Sequence, residues 1–291
     1  MAAWWICVLN WNAREDTLRC LASLRGAGAA GVVVADNGSA DGSVDAIRAA
    51  YPDVDLIANG ANLGYSGGNN AAIRHALARG ADWVVLLNND AELEPGALAA
   101  LAAAPEAGVL AGKLLFPDGR VQWAGQRLDL RTGYSGRPAG FGQPDGPEFS
   151  VAGPVPRAVG ALMAVSRPAI EAVGLLDDDL FAYVEDVDWC LRIRAAGFAC
   201  RFVPEARARH RLAGSTGGAA ASTTTMYYGT RNTIVVCERR RPFGPIRTAL
   251  RRATIAGSFL ARAVLVQRSA PAVRAVLAGW ADARAGRLGP R

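Results

Sequence analysis

The sequence predicts an α/β fold with a mostly parallel central sheet, and three observations support this. Four apolar runs of strand length recur along the first third of the chain, at Trp4–Leu9, 31–36, 54–58 and Val84–Leu87. Polar or glycine residues follow each run, and the segments after them have helical composition. Strands that alternate with helices form parallel sheets through right-handed crossovers, so the loops after these strands should gather at one edge.

Length and composition predict one large domain with an appendage. The chain has 291 residues, of which 51% are hydrophobic. Its five cysteines are odd in number and form no CxxC pair, which argues against a disulfide framework or a zinc site and favours a reducing cytosol. We find no signal-peptide pattern and no apolar run of the roughly 20 residues that span a bilayer. We therefore expect a soluble or peripheral protein.

The positive charge is concentrated at the C-terminus. The net charge is +6, but residues 238–291 contain 12 arginines against Glu238 and Asp282, which is +10 and leaves −4 for residues 1–237. We therefore predict one α/β domain over residues 1–237 and a basic helical extension over 238–291. Such an extension is typical of a segment that meets nucleic acid or anionic lipid.

Polar residues cluster directly after the predicted strands. The first strand runs into NWN (10–12), the second into DNGSADGS (36–43), the third leads to NLGYSGGNN (62–70), and the fourth ends on Asn88-Asn89-Asp90. Asn and Asp can simply open turns. Ligands of open α/β sheets, however, bind at the carboxyl ends of the strands. Four such clusters favour a binding site.

One glycine motif is a false lead. Residues 26–31 match GxGxxG, the dinucleotide fingerprint, and Asp36 would be its ribose-binding acid. That mechanism needs the glycines to follow a strand and open a helix. Here they close a helix and precede a strand, so we interpret them as a helix C-cap and loop.

The second half of the chain carries acidic residues and a histidine. Strands are predicted at 108–116 and 158–167, with a long Gly- and Pro-rich surface loop at 131–157. Glu185 and Asp186 stand at the first turn of a helix, where acids also serve as capping and dipole partners. His210 follows; a lone histidine among arginines is more often a surface group.

In this order, NWN, DNGSADGS, NLGYSGGNN, LLNND, EDVDWC, His210, STGG and YYGTRN resemble the family-2 inverting glycosyltransferases, and more narrowly their bacterial rhamnosyltransferase-like members. The resemblance covers roughly residues 4–237. It implies a GT-A fold that binds a nucleotide-sugar and Mg²⁺ or Mn²⁺.

The resemblance also implies roles for particular residues. Asp90 matches the metal-binding carboxylate and His210 the later metal-contacting histidine, while Asp186 matches the catalytic base, with Glu185 as second choice. NND stands where many relatives have two acids, which predicts low metal affinity without nucleotide. The implied nucleotide-sugar contacts are Asn10, Asp36, Asn37, Gly38, Ser39, Asp41, Asn62, Gly64, Gly67, Asn69, Asn88, Asn89 and Arg231.

The predicted activity is transfer of a sugar with inversion, most plausibly rhamnose from dTDP-rhamnose, onto a lipid-linked or polysaccharide acceptor. Another hexosyl- or galactofuranosyltransferase of the same family is an alternative. A nucleotidyltransferase would show a glycine- and basic-rich phosphate loop after the first strand, which NWNAREDT is not. A nucleic-acid-binding role for the Arg-rich extension is disfavoured because it lacks interleaved aromatics.

The extension itself predicts an amphipathic helix. An apolar stripe recurs at helical spacing, made of Ile246, Leu250, Ala253, Gly257, Leu260 and Val264. The stripe could pack on the catalytic domain and leave a solvated basic side. It could instead lie in an anionic membrane surface on the cytoplasmic side, where a polyprenyl-linked acceptor would be found.

Overall fold

A computed structural model describes residues 2–133, 136–211 and 223–291 and shows an α/β fold built on one mixed sheet. The sheet order is β3-β2-β1-β4-β9-β6-β10-β5, with β7 paired to β6 and β8 to β10. The strands are β1 (Trp4–Asn10), β2 (Gly31–Asp36), β3 (Asp55–Ala58), β4 (Trp83–Asn88), β5 (Ala91–Leu93), β6 (Val109–Leu115), β7 (Val121–Trp123), β8 (Gly153–Pro154), β9 (Leu162–Ser166) and β10 (Cys200–His210).

The predicted parallel part is confirmed for β3, β2, β1 and β4, which pair in parallel. Beyond them β9 runs antiparallel to both β4 and β6, so the sheet is mixed. The central strands are apolar on both faces because helices cover them, and β6 and β9 are buried throughout.

The helices of the described residues cover the sheet and form a C-terminal bundle. They are α1 (Arg14–Ser23), α2 (Ser43–Ala50), α3 (Gly64–Ala78), α4 (Ala97–Ala102), α5 (Arg167–Val173), α6 (Glu185–Ala195), α7 (Thr223–Arg240), α8 (Pro245–Ala261) and α9 (Ala270–Ala285). None of them is both long and apolar enough to cross a membrane.

Strand register brings the predicted polar clusters together. Asn10 pairs with Asp36 at the ends of β1 and β2, and Leu9 pairs with Asn88 at the end of β4. Toward the other end of the strand order, His210 is the last residue of β10 and pairs with Ala91 of β5. The carboxyl ends of β1, β2, β4 and β10 therefore meet at one edge.

The helix after β3 begins earlier than the sequence predicts. The segment GYSGGNN reads as a loop, yet α3 starts at Gly64. A Cβ on Gly68 would lie 2.3 Å from Leu9 Cδ1, so the missing side chain lets the helix pack closely against β1. Gly67 and Asn69 are therefore helical residues, and the Asn69 amide donates to the Tyr65 carbonyl oxygen at 2.9 Å.

The C-terminal helices pack on α7, which crosses the predicted boundary at residue 237. Tyr227 on α7 donates to Asp282 at 2.6 Å, and the Arg231 guanidinium donates to the Gly289 carbonyl oxygen at 2.7 Å. The division into residues 1–237 and 238–291 stays a prediction.

The predicted apolar stripe of α8 is not its packing face. Ile246 is 76% exposed and Leu250 is 63% exposed, whereas Arg251 is buried and donates to the carbonyl oxygens of Leu130 and Arg241. Ile255, also buried, packs toward the body of the protein.

Candidate active site

A cavity of about 350 Å³ opens at the edge where the strand ends meet. Cavities of this size hold small molecules and cofactors. Its walls include nine predicted site residues: Asn37, Asn62, Gly64, Asn88, Asn89, Asp90, Glu185, Asp186 and His210. The two groups of predicted catalytic and metal-binding residues, far apart in sequence, therefore face one space.

Asp90 and His210 lie in direct contact in this cavity. The Asp90 Oδ1 atom is 3.0 Å from His210 Nε2, and both side chains are only 6% exposed. The pairing of β10 with β5 creates this contact, since it places His210 opposite the residue that follows Asp90.

Gln122 on β7 fixes the orientation of His210. The Gln122 amide nitrogen donates to the His210 carbonyl oxygen at 3.0 Å, so the Gln122 Oε1 atom faces His210 Nδ1 at 2.6 Å and accepts its proton. The lone pair of Nε2 is then directed at Asp90. Gln122 is a residue that the sequence reasoning missed.

The donor set fits a hard divalent cation. Asp90 would supply an oxygen ligand and His210 a nitrogen ligand to such a cation. The 3.0 Å between Asp90 Oδ1 and His210 Nε2 would let both atoms contact one ion. No cluster of three or more His, Cys, Asp and Glu side chains suited to a metal occurs in the described parts of the chain, so other ligands would come from phosphate or water.

Asp186 stands across the cavity at the first turn of α6. Its Oδ2 atom accepts from the Gly160 amide at 3.2 Å, and the Arg157 Nη1 atom lies 3.4 Å from both carboxylate oxygens. These donors orient the carboxylate, which lines the cavity. Asp186 therefore presents an oriented carboxylate to the cavity.

Glu185 has a different environment from its neighbour. It is 6% exposed, and its Oε2 atom is buried without a hydrogen-bond partner among the described residues. Burial, with the negative charge of Asp186 adding to it, raises the pKa of Glu185 to about 8. At neutral pH Glu185 is mostly protonated, which suits hydrogen bonding better than proton removal. Asp188, by contrast, is fully buried and pairs with Arg192 and Arg240.

The chain that delivers Glu185 and Asp186 is strained. Phe181, Tyr183 and Val184 all have positive φ, at 62°, 67° and 73°. Left-handed conformations cost non-glycine residues roughly 1–2 kcal/mol each. Strain of this kind persists where surrounding contacts enforce it, and it is concentrated at functional sites.

Asn232 and Arg231, from the motif YYGTRN, enforce this conformation. The Asn232 amide nitrogen, fully buried, donates to the carbonyl oxygens of Leu180, Ala182 and Tyr183 at 2.8, 2.8 and 2.7 Å. Arg231, predicted to contact the nucleotide-sugar, is not among the residues that line the cavity. Its guanidinium donates instead to main-chain oxygens, including those of Asp179 and Leu180, and is 1% exposed.

Several residues predicted to contact the nucleotide hydrogen-bond to one another outside the cavity lining. The Asn10 amide donates to Asp36 at 2.6 Å and to Ser39 at 3.1 Å, while Asp36 Oδ1 accepts from the amides of Gly38 and Ser39. These four residues and Asp41, which accepts from the Ser43 amide ahead of α2, do not line the cavity. Gly67 and Asn69 do not line it either.

Aromatic and small residues complete the walls. The sequence reasoning did not select Trp11, Tyr65, Phe181 or Tyr183, all of which line the cavity. Trp11 belongs to the motif NWN and directly follows β1 at the binding edge. This position after a strand is the sequence feature that could have selected Trp11 as a site residue. The STGG motif at 215–218 lies outside the described residues.

The chain has the GT-A fold, with Asp90, His210 and Asp186 around one cavity at the carboxyl ends of its strands. The protein belongs to glycosyltransferase family 2: a profile described as "Glycosyl transferase family 2" matches residues 5–146, and relatives match much more of the chain.

Two curated relatives illustrate the similarity. An N-acetylglucosaminyl-diphospho-decaprenol L-rhamnosyltransferase of Mycobacterium tuberculosis is 34% identical over 262 residues, which cover 82% of this chain and 83% of the relative. A low-salt glycan biosynthesis hexosyltransferase of Haloferax volcanii is 27% identical over 203 residues, 65% of this chain and 61% of the relative.

Solved structures confirm the fold. A mannosyltransferase of Pyrobaculum calidifontis, in complex with GDP-Man and Mn²⁺, matches 97% of this chain and 75% of its own with a TM-score of 0.58 at 18% identity. S. aureus TarS in complex with UDP matches 91% and 73% with a TM-score of 0.58 at 14% identity. The predicted family and fold are both confirmed.

Proposed function

We propose that this hexosyltransferase is metal-dependent and inverting, and that it moves rhamnose from dTDP-rhamnose to N-acetylglucosamine carried on a lipid diphosphate. The observation that carries the reaction type is the cavity with Asp90 and His210 on one wall and Asp186 on another. Similarity over 82% of the chain to a rhamnosyltransferase with a lipid-linked acceptor supports the choice of substrates.

Asp90 and His210 would hold Mg²⁺ or Mn²⁺. When bound, the cation neutralises the donor diphosphate and the negative charge that develops on it as the leaving group. Asn88 and Asn89 line the cavity beside Asp90 and add no charge. Asn88 also lies 3.3 Å from His210 Nε2 through its amide nitrogen.

Asp186 serves as the base. The acceptor hydroxyl oxygen forms a bond to the anomeric carbon while the bond from that carbon to the phosphate oxygen breaks. The electron pair leaves with the nucleoside diphosphate, and the hydroxyl proton passes to Asp186. A positioned base of this kind contributes about 10²–10⁴-fold to the rate.

The test is a panel of nucleotide-sugars. Purified protein is incubated with dTDP-rhamnose, UDP-glucose, UDP-galactofuranose and GDP-mannose, each with Mn²⁺, Mg²⁺ or a chelator, and donor hydrolysis and thermal shift are measured. We expect a selective response to dTDP-rhamnose that the chelator abolishes. A response to another donor would refute the rhamnose assignment, and full activity in chelator would refute metal dependence.

We also propose that the protein docks on the anionic inner face of the cell membrane. Exposed apolar side chains continue from the stripe of α8 into the π-helical segment that follows it: Ile246 (76%), Leu250 (63%), Val264 (52%), Leu265 (72%) and Val266 (73%). Arg247, exposed on α8, and Arg268, exposed two residues after the π-helical segment, form no ion pair with described residues. Apolar residues flanked by free arginines suit an anionic lipid surface, where each arginine contributes about 1 kcal/mol.

Point substitutions test membrane docking better than truncation. Removing residues 239–291 would uncover the buried face of α7, since Tyr227 and Arg231 bond to the segment removed. We expect Leu265→Glu to reduce co-sedimentation with phosphatidylglycerol vesicles. Val151→Glu, equally exposed at 72% but located before β8, is the control. Equal pelleting of wild type and Leu265→Glu would refute this docking surface.

A further inference from the structure

A second cavity of about 350 Å³ lies on the other side of the chain segment that carries the catalytic carboxylates. It shares only Tyr183, Glu185 and Asp186 with the first cavity. Asp186 is therefore reachable from two separate spaces. One space contains the predicted donor and metal residues, and the other contains none of them.

The second cavity combines apolar walls with two arginines. Leu128 and Leu130 approach from the loop after β7, Val236 from α7 and Phe259 from α8. Arg157 lies beside Asp186, and Arg262 is exposed at the end of α8. Glu185 and Asp186 also line this cavity, and Arg157 pairs with Asp186. Such walls suit an amphiphile, with Arg262 at the exposed end as a contact for a negative group.

Two buried polar atoms at this cavity have no hydrogen-bond partner among the described residues: Glu185 Oε2 and Arg157 Nε. A buried polar atom left without a partner is costly, so such atoms mark places where a ligand completes the hydrogen bonding. Glu185 is more than nine-tenths buried and lines both cavities.

The rim of the second cavity continues onto the exposed apolar surface. Phe259 and Arg262, which line the cavity, are followed at once by the exposed residues Val264, Leu265 and Val266. A chain-like apolar group that leaves the cavity past Phe259 would therefore meet other apolar side chains.

We infer that the second cavity is the acceptor site and takes a sugar carried on a prenyl diphosphate. The sugar hydroxyl lies at Asp186, the diphosphate at Arg262 with Arg157 Nε, and the first prenyl units pass Phe259 toward Val264–Val266. This assignment rests on the proposed glycosyl transfer, because the acceptor oxygen must reach Asp186 from the side opposite the donor.

The experiment measures acceptor and donor binding separately. The probes are farnesyl diphosphate carrying N-acetylglucosamine, octyl N-acetylglucosaminide without a diphosphate, and dTDP with Mn²⁺, titrated calorimetrically. Thr233→Trp places a large ring in the second cavity at a half-buried position. We expect it to weaken binding of both acceptor probes at least tenfold and to leave dTDP affinity unchanged.

Arg262→Ala, at an exposed position, tests the diphosphate contact, and its melting temperature is measured beside its binding. Loss of a hydrogen bond to a charged group should weaken the binding of the prenyl diphosphate probe by about tenfold or more. The octyl glycoside, which has no diphosphate, should bind as before. Arg274→Ala, on an exposed arginine of α9 outside the cavity, is the matched control.

Each outcome decides the assignment. Unchanged acceptor affinity in Thr233→Trp and Arg262→Ala, or equal loss of dTDP binding in both, overturns it. Failure of the wild-type protein to bind or hydrolyse any nucleotide-sugar would instead count against the proposed function. Those two failures are distinguishable because the first is a result of the variants in a wild-type protein that binds nucleotide, whereas the second is a result of the wild-type protein itself.

Discussion

Replacing Asn232 by alanine should disable catalysis without unfolding the protein. Its amide nitrogen contacts three main-chain oxygens between Leu180 and Tyr183. The nitrogen carries two hydrogens, so the variant loses at most two full hydrogen bonds, each costing about 1–3 kcal/mol when buried partners are left unsatisfied.

The same segment stores strain of comparable size. With positive φ at Phe181, Tyr183 and Val184, the stored energy is about 3–6 kcal/mol at roughly 1–2 kcal/mol per residue. Losing about 2–6 kcal/mol of restraint therefore allows the segment to relax and to displace Glu185 and Asp186. Each 1.36 kcal/mol of lost transition-state stabilisation costs about tenfold in rate, so we expect kcat to fall at least tenfold.

The assay compares kcat and melting temperature with those of Thr230→Val. Thr230 is fully buried on the same helix and donates its hydrogen bond to the Met226 carbonyl oxygen, not to the strained segment. We expect the melting temperature of both variants to fall by several degrees. A loss of about 1 kcal/mol in the free energy of unfolding shifts the melting temperature by roughly 2–4 °C in a domain of this size. If kcat falls no further in Asn232→Ala than in Thr230→Val, the positioning role is refuted.

Three further predictions concern the carboxylates. Asp90→Ala should abolish transfer and Mn²⁺ binding with little change in melting temperature, because the residue lies past the end of β4; near-normal turnover would contradict the metal assignment. Asp186→Asn should lose transfer yet bind donor by calorimetry, since the amide keeps the shape but cannot take the proton; an active Asp186→Asn beside an inactive Glu185→Gln would reverse the two roles. Glu185→Gln should become more stable than wild type as pH rises. The folded-state pKa of about 8 exceeds the ordinary 4.5, so the wild-type protein loses stability between those values and glutamine does not; a difference in melting temperature that is the same at pH 5 and pH 8.5 would contradict this.

Local pattern was sufficient for the strands and for the binding edge. Four apolar runs followed by polar clusters predicted the parallel half of the sheet, because a buried strand must be apolar and its following loop must not be. Asp90 and Asp186 were selected through the resemblance to family-2 glycosyltransferases, and both line the cavity.

What the sequence could not determine is which polar groups meet and which apolar faces are covered. Gln122 reaches His210 only because β7 and β10 both pair with β6. The Arg231 guanidinium donates its hydrogen bonds to main-chain oxygens some 50 residues away in the chain. An apolar stripe indicates that a helix has an apolar face, but it does not identify the surface that covers this face. In the folded chain, α8 packs through Arg251 and Ile255 and leaves Ile246 and Leu250 exposed. Sequence periodicity records the environment of each residue along one element, whereas long-range partners depend on strand register and packing, which exist only in the folded chain.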